Sequence, residues 1–226
     1  MRSRKTPRQL NGPIENLLLV EGDDDYNTVK HLLIKFGLSP EEDQYVCRVR
    51  ETEGYPQVLD RLQDAARESG LLRLGIVLDA DTDINARWKS ITNSLGKIEG
   101  FEKRFEKAPT PGGAIVDVPN KLRIGVWLMP DNENPGALEE FAHRLLPATD
   151  KLWPHVDTSI KDLPVQLFTD SHLMKAKLNT WLAWQKYPGK PIGIAVYERW
   201  LNPEAPQCLT FKAWLEKLFD LTPESS

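Results

Sequence analysis

An alternation along the sequence constrains the fold most strongly. Short apolar segments alternate with segments in which apolar residues recur at helical spacing. The first, Asn16–Val20, has four consecutive apolar residues and ends at Glu21, which is typical of a parallel strand buried on both faces. Apolar residues then recur every three or four positions over 24–36, which predicts a helix that ends at Gly37. The alternation continues with strands predicted at 45–49, 74–78 and 124–129 and helices at 58–69, 86–95 and 137–146.

Strands that alternate with helices imply a parallel sheet with right-handed crossovers and helices on both faces. We therefore expect an α/β fold with a Rossmann-like sheet of about four strands over residues 14–146. An insertion near 101–123 carries a Pro- and Gly-rich stretch that favours a hairpin, but the sequence does not indicate its role. Residues 1–13 are predicted to form a flexible basic tail, and 147–226 a mainly helical C-terminal extension packed on the core, with helices at about 171–186 and 211–219.

Charge and cysteine usage exclude several classes of protein. The 29 basic and 33 acidic residues give a net charge of −4, so contact with nucleic acid must be local. Cys47 and Cys208 lie far apart, which excludes a zinc ribbon and a redox pair and fits a reducing cytoplasm. No apolar run approaches the roughly 20 residues that a membrane-spanning helix needs. We expect a cytoplasmic protein without a membrane partner, and the sequence indicates no oligomeric state.

Carboxylates follow two of the predicted strands. Glu21 comes directly after the first strand, and Asp79, Asp81 and Asp83 come after the third. If these strands are neighbours in the 2-1-3-4 order of doubly wound sheets, Glu21 and Asp79 end strands about 4.8 Å apart. Converging carboxylates repel one another unless a cation neutralises them, and Mg²⁺ prefers oxygen ligands completed by substrate phosphates. The sequence therefore predicts that these four acids hold Mg²⁺, with Mn²⁺ as a substitute.

Simpler roles remain open for some of these residues. Asp24 and Asp83 each precede a predicted helix, and acids at such positions commonly cap the amino end of the helix. The histidines lack the spacing of a metal site. The tryptophans are predicted to lie in the core rather than to stack on bases.

Two motifs carry a resemblance to a known domain. Leu-Leu-Leu-Val-Glu21-Gly22, followed one crossover later by Ile-Val-Leu-Asp79-Ala-Asp81, resembles the Toprim domain of topoisomerases, bacterial primases, recombination-mediator proteins and overcoming-lysogenization-defect nucleases. Further segments look similar to a small stand-alone family of poorly characterised Toprim-related proteins; they are Val126-Trp-Leu-Met-Pro130-Asp131-Asn, Gly136-Ala-Leu-Glu139 and the stretch that begins at Lys175.

The resemblance implies a Toprim-like fold and a set of roles. Glu21 would act as general acid or base or as a metal ligand, with Asp79 and Asp81 as Mg²⁺ ligands. In the nucleases of the superfamily a further acid follows the fourth strand and a lysine lies nearer the C-terminus, and Glu139 and Lys175 could fill these positions, as metal ligand and catalytic residue.

The expected function is a Mg²⁺-dependent nuclease, or a related phosphodiester-processing enzyme, that acts on DNA or RNA alone or with a partner ATPase. Two alternatives remain. One is a non-catalytic Toprim scaffold that binds nucleic acid or a protein partner, and the other is a receiver-like phospho-acceptor domain. The intact acid cluster opposes the first, and the Glu-Gly arrangement after the first strand opposes the second.

Overall fold

A mostly parallel sheet forms the centre of the protein. The computed structural model describes residues 15–39, 46–118 and 122–221, so the predicted tail at 1–13 lies outside the described residues. The sheet has the order β2-β1-β3-β5-β4, and only β4 runs antiparallel to its neighbour. The strands are β1 (Asn16–Val20), β2 (Arg48–Glu51), β3 (Arg73–Asp79), β4 (Ala114–Asp117) and β5 (Arg123–Met129).

Eight α-helices accompany these strands within the described ranges. They are α1 (Asp23–Lys35), α2 (Tyr55–Ala65), α3 (Ile84–Leu95), α4 (Leu138–His143), α5 (Trp153–Lys161), α6 (Leu173–Ala183), α7 (Ile192–Tyr197) and α8 (Pro206–Phe219). None of the helices in these ranges is long and apolar enough to cross a membrane.

The sheet is buried on both faces, which explains its continuously apolar strands. Leu17 and Leu19 point to one face and pack with α2 and α3, whereas Leu18 and Val20 point to the other and pack with α1 and the C-terminal helices. Trp181 and Trp214 lie in this second core, as predicted, whereas Trp184 is 42% exposed, so that the prediction is wrong for it. Of the helices that follow residue 147, α8 packs directly on the sheet, whereas α7 packs on α1 and α6 packs on α4 and α5.

A pair of glycines lets α8 approach the sheet closely. Gly75 and Gly125 lie side by side on β3 and β5. A Cβ atom on Gly125 would lie 2.9 Å from both Cδ atoms of Leu218 and 3.1 Å from Cζ2 of Trp214. The two residues thus form a flat patch on which α8 places its buried side chains.

The predicted α/β class is confirmed. The structure differs from the predictions in the edge strands of the sheet and in two short helices. The sheet has five strands rather than about four, because the insertion contributes β4 as an antiparallel edge strand. β2 begins at Arg48 rather than at position 45, which lies outside the described residues. The predictions omitted α5 and α7, which have nine and six residues and therefore few turns in which periodicity can be read.

We expect Gly125→Ala to lower the free energy of unfolding by about 1–3 kcal/mol, because the added methyl group overpacks the contact with Leu218. Urea denaturation of the variant and the parent would measure this. In Gly125→Ala/Leu218→Ala the shortened side chain makes room for the methyl group, so the double variant should lose less stability than the sum of the single variants. Additive losses would contradict the close approach of α8.

Candidate active site at the carboxyl edge of the sheet

The first and third strands are neighbours, as predicted, and they end at the same edge of the sheet. Glu21 follows β1 directly, and Asp79 is the last residue of β3. The backbone N–H of Asp79 donates a long hydrogen bond of 3.5 Å to Oε2 of Glu21. The structure therefore brings these two predicted site residues together.

Asp25 joins them, although the sequence analysis did not select it. It lies in the first turn of α1 and is only 8% exposed. Its Oδ1 atom is buried and accepts no hydrogen bond from any described residue. Acids in a first helical turn usually face solvent, but Asp25 stands three, four and seven residues before the buried Thr28, Val29 and Leu32. That position on the apolar stripe is the signal that could have identified it.

The loop after β5 and the first residue of α4 complete the surroundings of Asp79. The backbone N–H of Leu138 donates a hydrogen bond of 3.1 Å to Oδ1 of Asp79. Two side chains hold this loop in shape: Asn132 Oδ1 accepts a bond of 2.7 Å from the N–H of Leu128, and Asp131 accepts bonds from the backbone of the two residues that follow Asn132. Asp131 and Asn132 therefore support the site without belonging to it.

Burial and mutual repulsion alter the acidity of two carboxyl groups. Burial, followed by the charges of Asp25, Glu21 and Glu139, raises the pKa of Asp79 to about 8, although the hydrogen bond from Leu138 acts in the opposite direction. Burial and the charges of Glu21 and Glu139 raise the pKa of Asp25 to about 7. Because these groups hold protons near neutral pH, the cluster has a strong affinity for positive charge.

Glu139 and Lys175, the two residues that the resemblance implies, lie together at this edge. The Nζ atom of Lys175 on α6 is 2.9 Å from Oε1 of Glu139 on α4. The hydrogen bond to Glu139, together with the charges of Glu139, Asp24 and Asp79, raises the pKa of Lys175. The positively charged ammonium group of Lys175 thus lies at the edge of the acidic cluster, and Glu139 holds it there.

Asp81 and Asp83 have partners of their own. Asp81 adopts a left-handed backbone conformation with φ of 53° and forms an ion pair with Arg87 on α3. Asp83 caps α3, because its Oδ1 atom accepts a hydrogen bond of 3.0 Å from the N–H of Ala86. The metal-ligand role stays a prediction for both residues, and these contacts do not favour it.

A cavity of 620 Å³ opens beside the cluster, and of the clustered acids Asp79 and Glu139 line it, whereas Glu21 and Asp25 do not. Lys175, which is paired with Glu139, also lines the cavity. Its floor is fixed by two backbone hydrogen bonds, of 3.0 and 2.7 Å, between Asp81 and Gly136. The site therefore has room for a substrate group beside the acids.

The comparison with protein families covers nearly all of this structure. A family model described as "Protein of unknown function (DUF3226)" matches residues 15–220. The chain belongs to this family. No curated protein and no solved structure matches it. The DUF3226 match contains all of the acidic site, from Glu21 to Lys175.

The acids of this DUF3226 chain do not form a complete cage for a metal ion. Among the described residues there is no group of three or more His, Cys, Asp and Glu side chains that could hold one. Mg²⁺, however, usually keeps several waters and takes only one or two carboxylates, with substrate phosphates as further ligands. The buried Oδ1 atom of Asp25, which has no hydrogen-bond partner among the residues that the structure describes, and the carboxylate of Asp79 fit that smaller requirement.

Stability should depend on pH in a direction set by the buried acids. In chelator, we expect the free energy of unfolding to fall as pH rises from about 4 to about 8, because Asp25 and Asp79 bind protons more tightly in the folded state. Asp79→Asn removes one of these groups and can still accept the hydrogen bond from Leu138. Its melting temperature at pH 8 should therefore exceed that of the parent.

Asp83→Asn is the matched control, since it also removes one charge and an asparagine still caps α3. Thermal unfolding across this pH range measures both variants. A parent whose stability rises over the same range, or a destabilised Asp79→Asn at pH 8, would contradict the repulsion between the buried carboxylates.

Proposed function

We propose that this protein is a Mg²⁺-dependent phosphodiester hydrolase that acts on nucleic acid, with an active site of the Toprim type at the carboxyl edge of the sheet. The observation that supports this most is the burial of Asp25 and Asp79 together, with Oδ1 of Asp25 left without a partner among the described residues. Such an arrangement costs stability, and acids retained at that cost are typical of functional sites.

The residues divide into three roles in this proposal. Asp25 and Asp79 would hold the cation, and Glu139 stays a predicted further ligand. Mg²⁺, when bound, would polarise the phosphodiester as a Lewis acid. Glu21 ends the strand beside Asp79 and has the position of a general base that accepts a proton from attacking water. Lys175, held by Glu139 at the cavity, would offset negative charge on the phosphate oxygens.

The proposal extends to the setting of the reaction. Cys47 and Cys208 are buried free thiols, and burial raises the pKa of each to about 12, so that neither is reactive. We propose the cytoplasm as the compartment, since its reducing conditions suit such thiols. A partner ATPase remains part of the proposal, and activity should therefore be assayed with and without one.

The central test is cleavage. With Mg²⁺ or Mn²⁺ the protein should cut DNA or RNA, and Glu21→Gln should reduce the rate by about 10²- to 10⁴-fold, because glutamine keeps the shape of the side chain but cannot accept the proton. Asp79→Asn should lose activity through weaker metal binding and recover part of it at higher Mn²⁺ concentration. Gel assays on supercoiled, linear duplex, single-stranded and RNA substrates would measure the rates.

Asp60→Asn serves as the control for cleavage, because it removes one charge from an exposed position on α2 outside the cluster, and it should cut at the parental rate. Should Glu21→Gln cut as fast as the parent on every substrate, this site would not be a nuclease site. A parent that binds nucleic acid but never cuts, with or without an ATPase, would favour the scaffold function instead.

A further inference from the structure

The insertion after α3 forms a second large cavity, a groove of 940 Å³ that lies apart from the acidic site. One wall is the outer face of α3, and the other is the loop over 101–107. Basic residues outnumber acidic ones on the two walls by five to two, in a chain whose net charge is −4. The basic residues are Lys89, Lys97, Lys103, Arg104 and Lys107, and the acidic ones are Glu102 and Glu106.

The helix wall presents a regular polar stripe. Asn85, Lys89 and Asn93 lie four residues apart on α3, so that they share one face about 6 Å apart along the helix axis. Lys97 continues the stripe just beyond the last turn of α3. All four side chains are exposed. The stripe is therefore a row of donors that solvent or a ligand can reach.

The loop wall is fixed in place by aromatic contacts. The indole Nε1 of the buried Trp88 donates a hydrogen bond of 2.9 Å to the backbone oxygen of Glu106. Phe105 packs edge-on against Trp88 with ring centroids 6.1 Å apart, and it stacks on the buried Phe101 at 6.5 Å. The groove is therefore built into the fold.

The positive charges of the groove are available to a ligand. None of its four lysines forms an ion pair with another residue in the described part of the chain. Glu102, by contrast, already accepts a hydrogen bond of 3.0 Å from the N–H of Gly100. The five basic and two acidic residues of the lining leave an excess of positive charge, and the matching ligand is a polyanion.

We propose that this groove binds the sugar–phosphate backbone of double-stranded nucleic acid. Lysine and asparagine side chains in a row are the usual donors to phosphate oxygens. The aromatic rings of Phe101 and Phe105 are occupied by each other and by Trp88, so the groove offers no free platform on which unpaired bases could stack. Backbone contacts without stacking favour a duplex and carry no sequence preference.

The groove would position substrate for the acidic site, and in this respect the inference rests on the proposed function. α3 begins five residues after Asp79, so the end of the groove at Asn85 lies close in the chain to the catalytic edge. The acids themselves repel phosphates. The basic groove, which begins on the helix that follows Asp79, would supply the attraction for phosphate that the acids lack.

The test is a quadruple variant, Lys89→Gln/Lys97→Gln/Lys103→Gln/Lys107→Gln. Fluorescence anisotropy with a labelled duplex, in a Glu21→Gln background without divalent cations, measures binding without cleavage. We expect affinity to fall about 10-fold or more. The slope of the logarithm of the binding constant against the logarithm of salt concentration should become shallower by about 0.9 for each lysine that contacts a phosphate.

The matched control is Lys151→Gln/Lys161→Gln/Lys186→Gln/Lys217→Gln, which removes equal charge from exposed positions outside the groove. It should bind nearly as the parent does.

Three other outcomes of the binding experiment would overturn the inference or part of it. Equal affinity of the groove and control variants, with equal melting temperatures, would overturn the inference. Tighter binding of single strands than of duplex would overturn the assignment to duplex, and groove-dependent binding of poly-glutamate without binding of duplex would assign the groove to an acidic protein.

Cleavage assays separate this inference from the proposed function. If the parent cuts and the groove variant has a higher KM with an unchanged kcat, the nuclease function and the groove assignment are both supported. If the parent cuts but the groove variant binds as the control does, the groove assignment fails alone. If duplex binding depends on the groove but the parent never cuts, the nuclease assignment fails alone.

Discussion

The parallel pairing of β1 with β3 is the constraint on which the rest of the site depends. Val20 lies opposite Val77, so both strands end at the same edge and place Glu21 beside Asp79. The helix that follows β1 starts within three residues and carries Asp25 into the same space. β5 pairs with the other side of β3, and the helix that follows it, α4, begins with Leu138, whose N–H binds Asp79. The acidic cluster is thus a consequence of strand order.

The cluster and the groove have opposite electrostatic roles. Buried acids attract a cation but repel a phosphate backbone, so a site built from them alone would bind its substrate poorly. The five basic residues along α3 and the loop after it provide a separate attraction, and Lys175 provides one cation at the cavity itself. In the proposed function, phosphate would be attracted at a place apart from the acids, and a bound cation would relieve the repulsion between the acids.

The sequence predicted best those strands that are buried on both faces, because such strands appear as continuous apolar runs. β1, β3 and β5 are strands of this kind, so that their positions were predicted closely. β2 and β4 are half-exposed edge strands that lack this pattern; the strand predicted at 45–49 overlaps only the start of β2, and β4 was expected only as part of a hairpin. Glu21 and Asp79 could be selected because they end such runs. Asp25 was hidden among three consecutive acids at a helix start. The left-handed backbone that turns Asp81 towards Arg87, and the loop that Trp88 holds against α3, arise only from tertiary contacts.

The most direct measurement of the central claim is the anomalous scattering of a crystal soaked in Mn²⁺. The account predicts a peak about 2.1 Å from carboxylate oxygens of both Asp25 and Asp79. It also predicts that the peak disappears in Asp79→Asn crystals. A map without anomalous density at this edge of the sheet, in which Asp25 and Asp79 instead share a proton across a direct hydrogen bond, would contradict it.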